Sequence, residues 1–464
     1  MISYLEQLLQ ALRPAFSRQA AFGWFIIAIV GFVMRTDTYG VSSIIRALCL
    51  TPLCYPCLLH FFHSSAWSTQ FLLQHWWLWM IRQNVEYQLH DRIVLTGDHT
   101  KNVKDGRRIP DVETLHQDSE TGSKPSYFRG HHWGCIALLT SVRKKFWSTP
   151  MWAEIHRSDL DEKRSTRIVS AALSIVQTLK KKGYLVLDAF FAVGPVFTMA
   201  HSTSNDSLHI VTRAKKNVTA FLPAGSKKKG KRGPKPTYGR KLKLMKLFDS
   251  DSTKFKFTTV DADIYGTTEA VRCLVLDLLW RPIKGVLRFI LIESSHGRII
   301  LITNDLSLSA KTAIFLYCRR ASIETLFNSL KNLLGGLCYH FWSKYLQPSS
   351  RRPARKGTPK PISLNPEKTK ITLEAIEKFV VVQIIVLGIL QVLALKFPKE
   401  IISKSLCWMR TPPEDIPSEF MTKIALSNIF RNNLTVFAKN MITLLIRKRQ
   451  KFHSGNGFLE EAAA

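Results

Sequence analysis

The sequence has few acidic residues for its length. Thirty-four Asp and Glu residues are set against 66 Lys and Arg residues in a chain of 464, which gives a formal charge of +32. Because the basic excess is spread along the whole sequence, a polyanion is the expected partner. DNA is the first candidate, and anionic lipid is the alternative.

Cysteine is also sparse, and it forms no metal-binding pattern. Of the eight cysteines, Cys54 and Cys57 have the spacing of half a zinc site, but no second Cys or His pair accompanies them. His99, His131 and His132 likewise lack ligand spacing, and we expect structural or DNA-facing roles for them. This pattern is typical of reduced thiols in a cytoplasmic protein.

Long hydrophobic runs are almost absent. Residues 22–34 are too few to span a bilayer, and the start of the chain carries Glu6 without the basic residues of a signal peptide. Residues 379–395 have borderline length and are interrupted by Gln383, Gly388 and Gln391. Both runs are expected to be buried helices, with a membrane span at 379–395 as the alternative.

Four polar residues follow one another at helical spacing within an apolar stretch: Tyr317, Arg320, Glu324 and Lys331. On a regular helix they fall at about 0°, 300°, 340° and 320°, on one narrow face. Such a face combines a carboxylate, which suits Mg²⁺, with cations that suit phosphate. The alternative is a solvated charged face with an Arg320–Glu324 pair.

Two aspartates come after apolar runs that predict buried strands. Asp98 follows residues 93–97, and Asp188 follows residues 184–187. Asp91, Asp105 and Asp111 are rivals of Asp98, but none of them directly follows that strand. For Asp188 the alternative role is to cap the next helix.

These three segments together resemble one known family. Residues 316–331, LYCRRASIETLFNSLK, are similar to the signature helix of the bacterial insertion-sequence DDE transposases that are named for a Tyr-Arg-Glu-Lys motif. The motifs around Asp98 and Asp188 stand in the order of that family. The resemblance covers residues 90 to 400. The family often has Trp after the motif Arg, whereas this chain has Ala321.

The resemblance implies an α/β fold with a ribonuclease H-like core, interrupted by a β-rich insertion. We expect an N-terminal helical domain, possibly DNA-binding, at residues 1–90 and a helical C-terminal region at 401–464. The core occupies residues 91–213 and 307–400. Between its two parts, residues 214–306 form a basic loop and a β-rich subdomain, with strands expected at 271–280, 286–292 and 299–303.

The resemblance also implies the chemistry. Asp98, Asp188 and Glu324 would be catalytic and hold Mg²⁺ or Mn²⁺, two ions per site, while Tyr317, Arg320 and Lys331 would contact DNA. The partners implied are the terminal inverted repeats of a transposon, target DNA and a second copy of the chain in a synaptic dimer, without a membrane. The location implied is the bacterial cytoplasm, at the nucleoid. The alternatives are a catalytically dead or domesticated DNA-binding derivative and a basic membrane protein.

A basic run in the insertion adds a charge argument that does not depend on the resemblance. Lys and Arg alternate with Gly and Pro there, which predicts a loop with affinity for phosphate and little ability to read bases. Its cations are Lys227, Lys228, Lys229, Lys231 and Arg232. A solvated loop without a partner is the alternative.

Overall fold

The computed structural model describes residues 1–117, 125–143, 145–157, 162–204, 206–225, 236–249, 255–354, 358–408 and 415–450. It is a mixed α/β structure in which helices pack around one large mixed sheet.

The chain begins with a helical region. Its helix α2 is apolar on all sides and buried along nearly its whole length, as expected for residues 22–34. Trp76 and Trp77 join the last helix of this region to the sheet, because their ring nitrogens donate to the carbonyls of Pro150 and Met151. The helices are α1 (Ile2–Leu12), α2 (Gln19–Met34), α3 (Ser42–Ala47), α4 (Cys54–His63) and α5 (Thr69–Ile81).

The central part of the sheet consists of five main strands, two short ones (β1 and β3) and two crossover helices. Its elements in chain order are β1 (Gln88–Leu89), β2 (Arg92–Val103), β3 (Glu113–His116), β4 (Tyr127–Val142), β5 (Lys145–Ile155), α6 (Arg164–Leu179), β6 (Lys182–Leu187), α7 (Gly194–Ser204) and β7 (Leu208–Arg213). The spatial order is β5-β4-β2-β6-β7, with β3 also on β4 and β1 on β2. β2 is antiparallel to β4 and parallel to β6, and β6 is parallel to β7.

The strands after β7 continue the same sheet. They are β8 (Thr219–Pro223), β9 (Tyr238–Lys243), β10 (Thr258–Ile264), β11 (Thr267–Trp280), β12 (Gly285–Ser294) and β13 (Gly297–Thr303). β13 pairs antiparallel with β7, and the order then runs β13-β12-β11-β8-β9, with β10 also on β11. The three strands predicted here lie within β11, β12 and β13.

The remaining elements are helical. They are α8 (Ala310–Arg319), α9 (Ser322–Asn328), α10 (Pro366–Lys396), α11 (Pro398–Ser405), α12 (Glu419–Thr435) and α13 (Met441–Arg447). The sequence offers Ser307 or Ser309 as a cap for α8, and Ser309 takes this role by accepting a hydrogen bond from the Thr312 N–H. A π-helical turn, Ser329–Leu333, follows α9.

Helix α10 is the longest of the described helices and contains the second apolar run. By length and composition it could cross a membrane, yet the whole of its apolar window is buried inside the structure. It packs against β5, α2, α4, α5 and α12. Its predicted burial as a core helix is confirmed.

Two local predictions differ from the structure. The strand expected to end before Asp98 continues as β2 to Val103, because its outer half pairs with β4. The amphipathic run 165–182 followed by a glycine also predicts a helix that ends at Gly183, but α6 stops at Leu179. Lys180 takes the left-handed conformation there (φ 51°), and Gly183 lies within β6, where Val176 packs too closely to admit a side chain.

Candidate active site

Asp98 on β2 and Asp188, the residue directly after β6, come together at the two central parallel strands. The paired residues of β2 and β6 end with Thr96 opposite Val186, two residues before each aspartate, and the charge of Asp188 acts on Asp98. The Asp98 side chain is mostly buried and accepts a hydrogen bond from the His99 N–H at 2.7 Å. Adjacent parallel strands thus bring together two carboxylates that are 90 residues apart in the sequence.

Asp188 also has the capping role that was weighed as its alternative. One carboxylate oxygen accepts from the Phe190 N–H at 2.8 Å and starts a short 3₁₀ turn. Its backbone carbonyl accepts a hydrogen bond from the Thr212 hydroxyl on β7. The cap engages only one oxygen of the carboxylate, so it fixes Asp188 without using all of its capacity to accept.

Arg320 connects the signature segment to the strands. One terminal nitrogen of its guanidinium donates to Asp98 at 3.0 Å, and the other donates to Glu324 at 3.0 Å. The Arg320 and Asp98 side chains are 17% and 19% exposed, whereas Glu324 is 65% exposed. The Arg320–Glu324 pair expected of a charged helix face is therefore present. Arg320 also bonds Asp98, a mostly buried carboxylate on β2.

The electrostatics of the site reflect this crowding of carboxylates. Burial first, and then the charge of the neighbouring Asp188, raise the pKa of Asp98 to about 6, although the His99 N–H and Arg320 act in the opposite direction. For Arg320, burial lowers the pKa, but Asp98, Tyr317 and Glu324 outweigh it, so the pKa rises above its usual value. The site therefore holds like charges close together and keeps one arginine firmly charged.

Tyr317 and Lys331 complete the predicted set. The Tyr317 ring lies 6.0 Å from the Arg320 guanidinium, and burial raises the pKa of its phenol. Lys331 donates to the carbonyl of Lys101 on β2 at 3.2 Å, and burial lowers the pKa of its ammonium. Both side chains thus lie beside the strand that carries Asp98.

The helical wheel that placed these residues on one face is wrong, because the segment is not one regular helix. It breaks between Arg319 and Ser322 and passes into the π-helical turn that holds Lys331. At the break the Ser322 hydroxyl donates to the Arg319 carbonyl and lies 2.5 Å from the hydroxyl of Ser148 on β5. The hydroxyl of Ser322 thus bonds a carbonyl that a backbone N–H would bond in a regular helix. π-helical turns often occur at functional sites.

The end of the signature segment is fixed from the N-terminal region. Arg35, at the C-terminal end of α2, is 2% exposed and donates to the carbonyls of Leu334 and Gly335. Gly335 has a positive φ, and a Cβ there would collide with Thr38. These contacts satisfy carbonyls that the helical turn leaves free.

His99 lies at this centre, because its N–H donates to Asp98 and its ring contacts Phe190 and Phe191 in the turn that Asp188 caps. Asp91 and Asp111 have left-handed backbone conformations, and Asp91 and Asp105 are exposed. The ring nitrogens of His131 lie 2.7 Å from the Tyr339 hydroxyl and 2.8 Å from the Pro110 carbonyl. His99 and His132 contact each other edge to face, and Arg164 bonds His132 at 2.6 Å. These histidines have internal partners.

The predicted basic run Lys227 to Arg232 lies outside the described residues. The sequence analysis overlooked other cations, which line a cavity of about 500 Å³. Lys215 and Lys216 come two and three residues after the end of strand β7. This pair of lysines behind an apolar strand was the signal from which the cations could have been predicted. The cavity is lined by Ala192, Lys215, Asn217, Val218, Thr219, Phe221, Lys241, Trp280, Arg281, Pro282 and Ile302, with no acidic residue among them.

The donor chemistry of the site fits a divalent cation, but the arrangement of the side chains does not. Asp98, Asp188 and Glu324 offer carboxylate oxygens, which Mg²⁺ and Mn²⁺ prefer. Among the residues that the structure describes, however, no three His, Cys, Asp or Glu side chains lie close enough together to hold one ion. Two of the three carboxylates are instead bonded to Arg320.

The family described as "DDE superfamily endonuclease" matches residues 11–259, more than half of the chain. The match includes Asp98 and Asp188, begins well before residue 90 and ends before Glu324. Among solved structures, the NurA nuclease from Sulfolobus solfataricus is similar at 9% identity and a TM-score of 0.22, over 58% of this chain and 86% of that one. No curated protein matches the chain.

Proposed function

The chain belongs to the DDE superfamily of endonucleases, and from this premise we propose that it is a DNA transposase. It would cut transposon ends and join them to target DNA by phosphoryl transfer. DNA is the substrate that the family implies, and Mg²⁺ or Mn²⁺ is the proposed cofactor, since divalent cations are general in this superfamily. The alternative, a catalytically dead or domesticated derivative, shares the same binding surface.

The strand topology supports a ribonuclease H-like core. The five main strands follow one another along the chain as β2, β4, β5, β6 and β7. Side by side in the sheet they stand in the order β5-β4-β2-β6-β7. The first three are antiparallel neighbours, and the last two are parallel to the first and joined by helices. This arrangement supports the ribonuclease H-like core that the resemblance implies. The insertion then joins the sheet through β13 rather than forming a separate layer.

The observation that carries the proposal is the convergence at Arg320. Residues 98, 188 and 324 are distant in sequence, yet Arg320 bonds Asp98 and Glu324, and Asp188 lies near enough to Asp98 to raise its pKa. A charged helix face without function would have no reason to bury its arginine against an aspartate, because burying a carboxylate beside another one is unfavourable. We therefore assign the catalytic role to Asp98, Asp188 and Glu324.

The surrounding cations support DNA as the substrate. Arg320 bonds two of the carboxylates, Tyr317 lies beside Arg320, and Lys331 bonds the backbone of β2 three residues after Asp98. Lys215, Lys241 and Arg281 line the acid-free cavity. Arg281 lies over the rings of Phe221 and Tyr238 at 4.9 and 5.5 Å, which keeps its guanidinium at the surface. Cations beside aromatic rings suit the phosphates and bases of a DNA strand.

The chemistry follows from these placements. In cleavage, a water oxygen bonds to the scissile phosphorus while the bond from phosphorus to the 3′-oxygen breaks, and that oxygen leaves as a hydroxyl. In joining, this 3′-hydroxyl attacks a target phosphorus and displaces another 3′-oxygen. Arg320 and Lys331 would hold the phosphate oxygens and offset the charge that develops on them. Tyr317 would donate a hydrogen bond to the same phosphate.

The test is cleavage and joining of DNA that carries the inverted repeats flanking the gene, with Mg²⁺ or Mn²⁺. The wild-type protein should nick and join it, and Asp188→Asn should bind it but neither nick nor join it. Asp105→Asn, a rival carboxylate on an exposed turn, is the matched control and should act like the wild type. Equal cutting by Asp188→Asn would refute the site, and a wild type that binds but never cuts would favour the inactive derivative.

A homodimer on two transposon ends is proposed on the resemblance alone. Mass measurement of the protein with and without end DNA tests it. A complex of two chains and two DNA ends is expected, and a stable complex of one chain with one end that completes joining would contradict it.

A further inference from the structure

Arg320 occupies the place where the three carboxylates would have to meet. Both terminal nitrogens of its guanidinium are engaged, one by Asp98 and the other by Glu324. Each terminal nitrogen thus donates to a carboxylate of the protein, and the Arg320 side chain is mostly buried. A cation that belongs to the protein already holds two of the carboxylates that a metal ion would need.

Taking the proposed function as its basis, we propose that Arg320 makes metal binding depend on DNA. In the free protein it pairs with Asp98 and Glu324 and keeps them from forming a set of ligands with Asp188. A DNA phosphate in the site offers the same fork a better partner. When Arg320 turns to the phosphate, Asp98 and Glu324 become available to a divalent cation.

The chemistry of the groups favours this exchange. A guanidinium binds phosphate through two parallel hydrogen bonds, as it binds carboxylates, and is not deprotonated in the process. Displacing it leaves carboxylates that repel one another, so a divalent cation is needed to restore the balance of charge. Neither the movement of Arg320 to the phosphate nor the binding of the cation is favourable alone. DNA binding and metal binding are therefore coupled.

The local structure permits the movement. Arg320 lies where α8 ends and α9 has not yet begun, so its side chain is not confined within a regular helix. Glu324 is 65% exposed and free to rotate, whereas Asp98 is held on β2. Only two side chains have to turn, and the strands stay in place.

Linkage gives the exchange a measurable sign. If DNA raises the affinity for metal by some factor, metal raises the affinity for DNA by the same factor. Removing Arg320 should strengthen metal binding in the absence of DNA and reduce the enhancement by DNA. A simple phosphate contact would leave metal binding without DNA unchanged.

The experiment measures free Mn²⁺ by electron paramagnetic resonance in titrations of the full-length protein, with and without a pool of short random-sequence duplexes. Without DNA, Arg320→Ala should bind Mn²⁺ about tenfold more tightly than the wild type, within the usual range of coupling. DNA should raise the affinity of the wild type by a larger factor than that of the variant. Arg320→Lys, which keeps the charge but not the fork, should lie between them.

Arg319→Gln is the matched control. Arg319 is the neighbouring residue, and it pairs with Asp263 on β10 at 2.7 Å rather than with the site carboxylates. This variant loses the same charge and should bind Mn²⁺ as the wild type does. Equal gains in Arg319→Gln and Arg320→Ala would mean that overall charge sets the affinity, and the proposal would be wrong. Thermal unfolding of each variant verifies that it is folded.

The remaining outcomes separate this proposal from the proposed function. A wild-type protein that binds Mn²⁺ equally well with and without DNA, and still cuts, refutes the role of Arg320 and leaves the transposase intact. An absence of Mn²⁺ binding in every protein, with or without DNA, refutes both.

Discussion

The signature segment and helix α10 show two ways in which this chain builds a helix. Helix α10 runs unbroken for 31 residues and is apolar on all sides over residues 379–395. The signature segment is broken after Arg319 and changes to a π-helical turn, and its charged residues range from the mostly buried Arg320 to the exposed Glu324. Hydrophobic burial alone determines the first, whereas the second gives up helical regularity where Arg320, Glu324 and Lys331 meet the strands. Regularity is therefore a sign of packing in this protein, and irregularity marks the candidate site.

The largest effect is expected from a change that leaves the shape of the signature segment intact. Glu324→Gln removes one carboxylate charge and should lower cleavage by about 1000-fold, equivalent to roughly 4 kcal/mol, while DNA binding stays within a few-fold. Rates of plasmid nicking and filter binding give the two quantities. Nicking at the wild-type rate would show Glu324 to be only a surface partner of Arg320.

In α10 the matching experiment adds a methyl group instead of removing a charge. Gly388 faces Trp76, and a Cβ there would lie 2.4 Å from the ring. Gly388→Ala should therefore cost about 1–3 kcal/mol through overpacking, despite the helix propensity of alanine. Gly23→Ala in α2, where the nearest atom is 3.7 Å away, is the control and should stabilise by up to about 1 kcal/mol. Urea unfolding measures both, and equal behaviour would refute the close contact.

A pH experiment probes the charge that α10 does bury. Burial raises the pKa of Glu377 to about 7, although Arg157 opposes the shift with a contact of 2.6 Å. Because the folded-state pKa lies above the unfolded value of 4.5, Glu377 contributes stability that is fully present below pH 4.5 and lost as the pH rises through 7. The unfolding free energy of the wild type, relative to Glu377→Gln, should fall by on the order of 2 kcal/mol from pH 5 to 8. Parallel pH profiles would contradict this.

The smallest effect concerns the break itself. Ala375→Gly, in the interior of α10, should cost about 1–2 kcal/mol through backbone entropy and a lost buried methyl group. Ala321→Gly, at the break, should cost less than about 0.5 kcal/mol, because no regular helix is interrupted there. Denaturant midpoints decide between these values. A cost at Ala321 equal to that at Ala375 would mean that the segment behaves as a continuous helix.

Sequence patterns predicted the parts of this molecule in which one interaction dominates. The buried helices and the strands β11, β12 and β13 follow from apolar runs and β-branched residues. Asp98 and Asp188 were found because each follows an apolar run. The continuation of β2 to Val103 was not predictable, since its pairing with β4 is a contact between distant residues.

The interior of the site was predictable in composition but not in geometry. The spacing from Tyr317 to Lys331 named the right neighbours through a regular helix that the chain does not form. The break depends on Ser322 meeting Ser148 on β5, a partner 174 residues away. The bond from Arg320 to Asp98 is similarly long-range, so no local pattern could show that the arginine joins the two segments.

The buried Arg35 sets a fixed distance inside the molecule. Since it bonds the end of α2 to the carbonyls that close the signature segment, the N-terminal helices keep a constant separation from the candidate carboxylates. In the proposed transposase, DNA bound by those helices would therefore be cut at a constant distance from the bound segment.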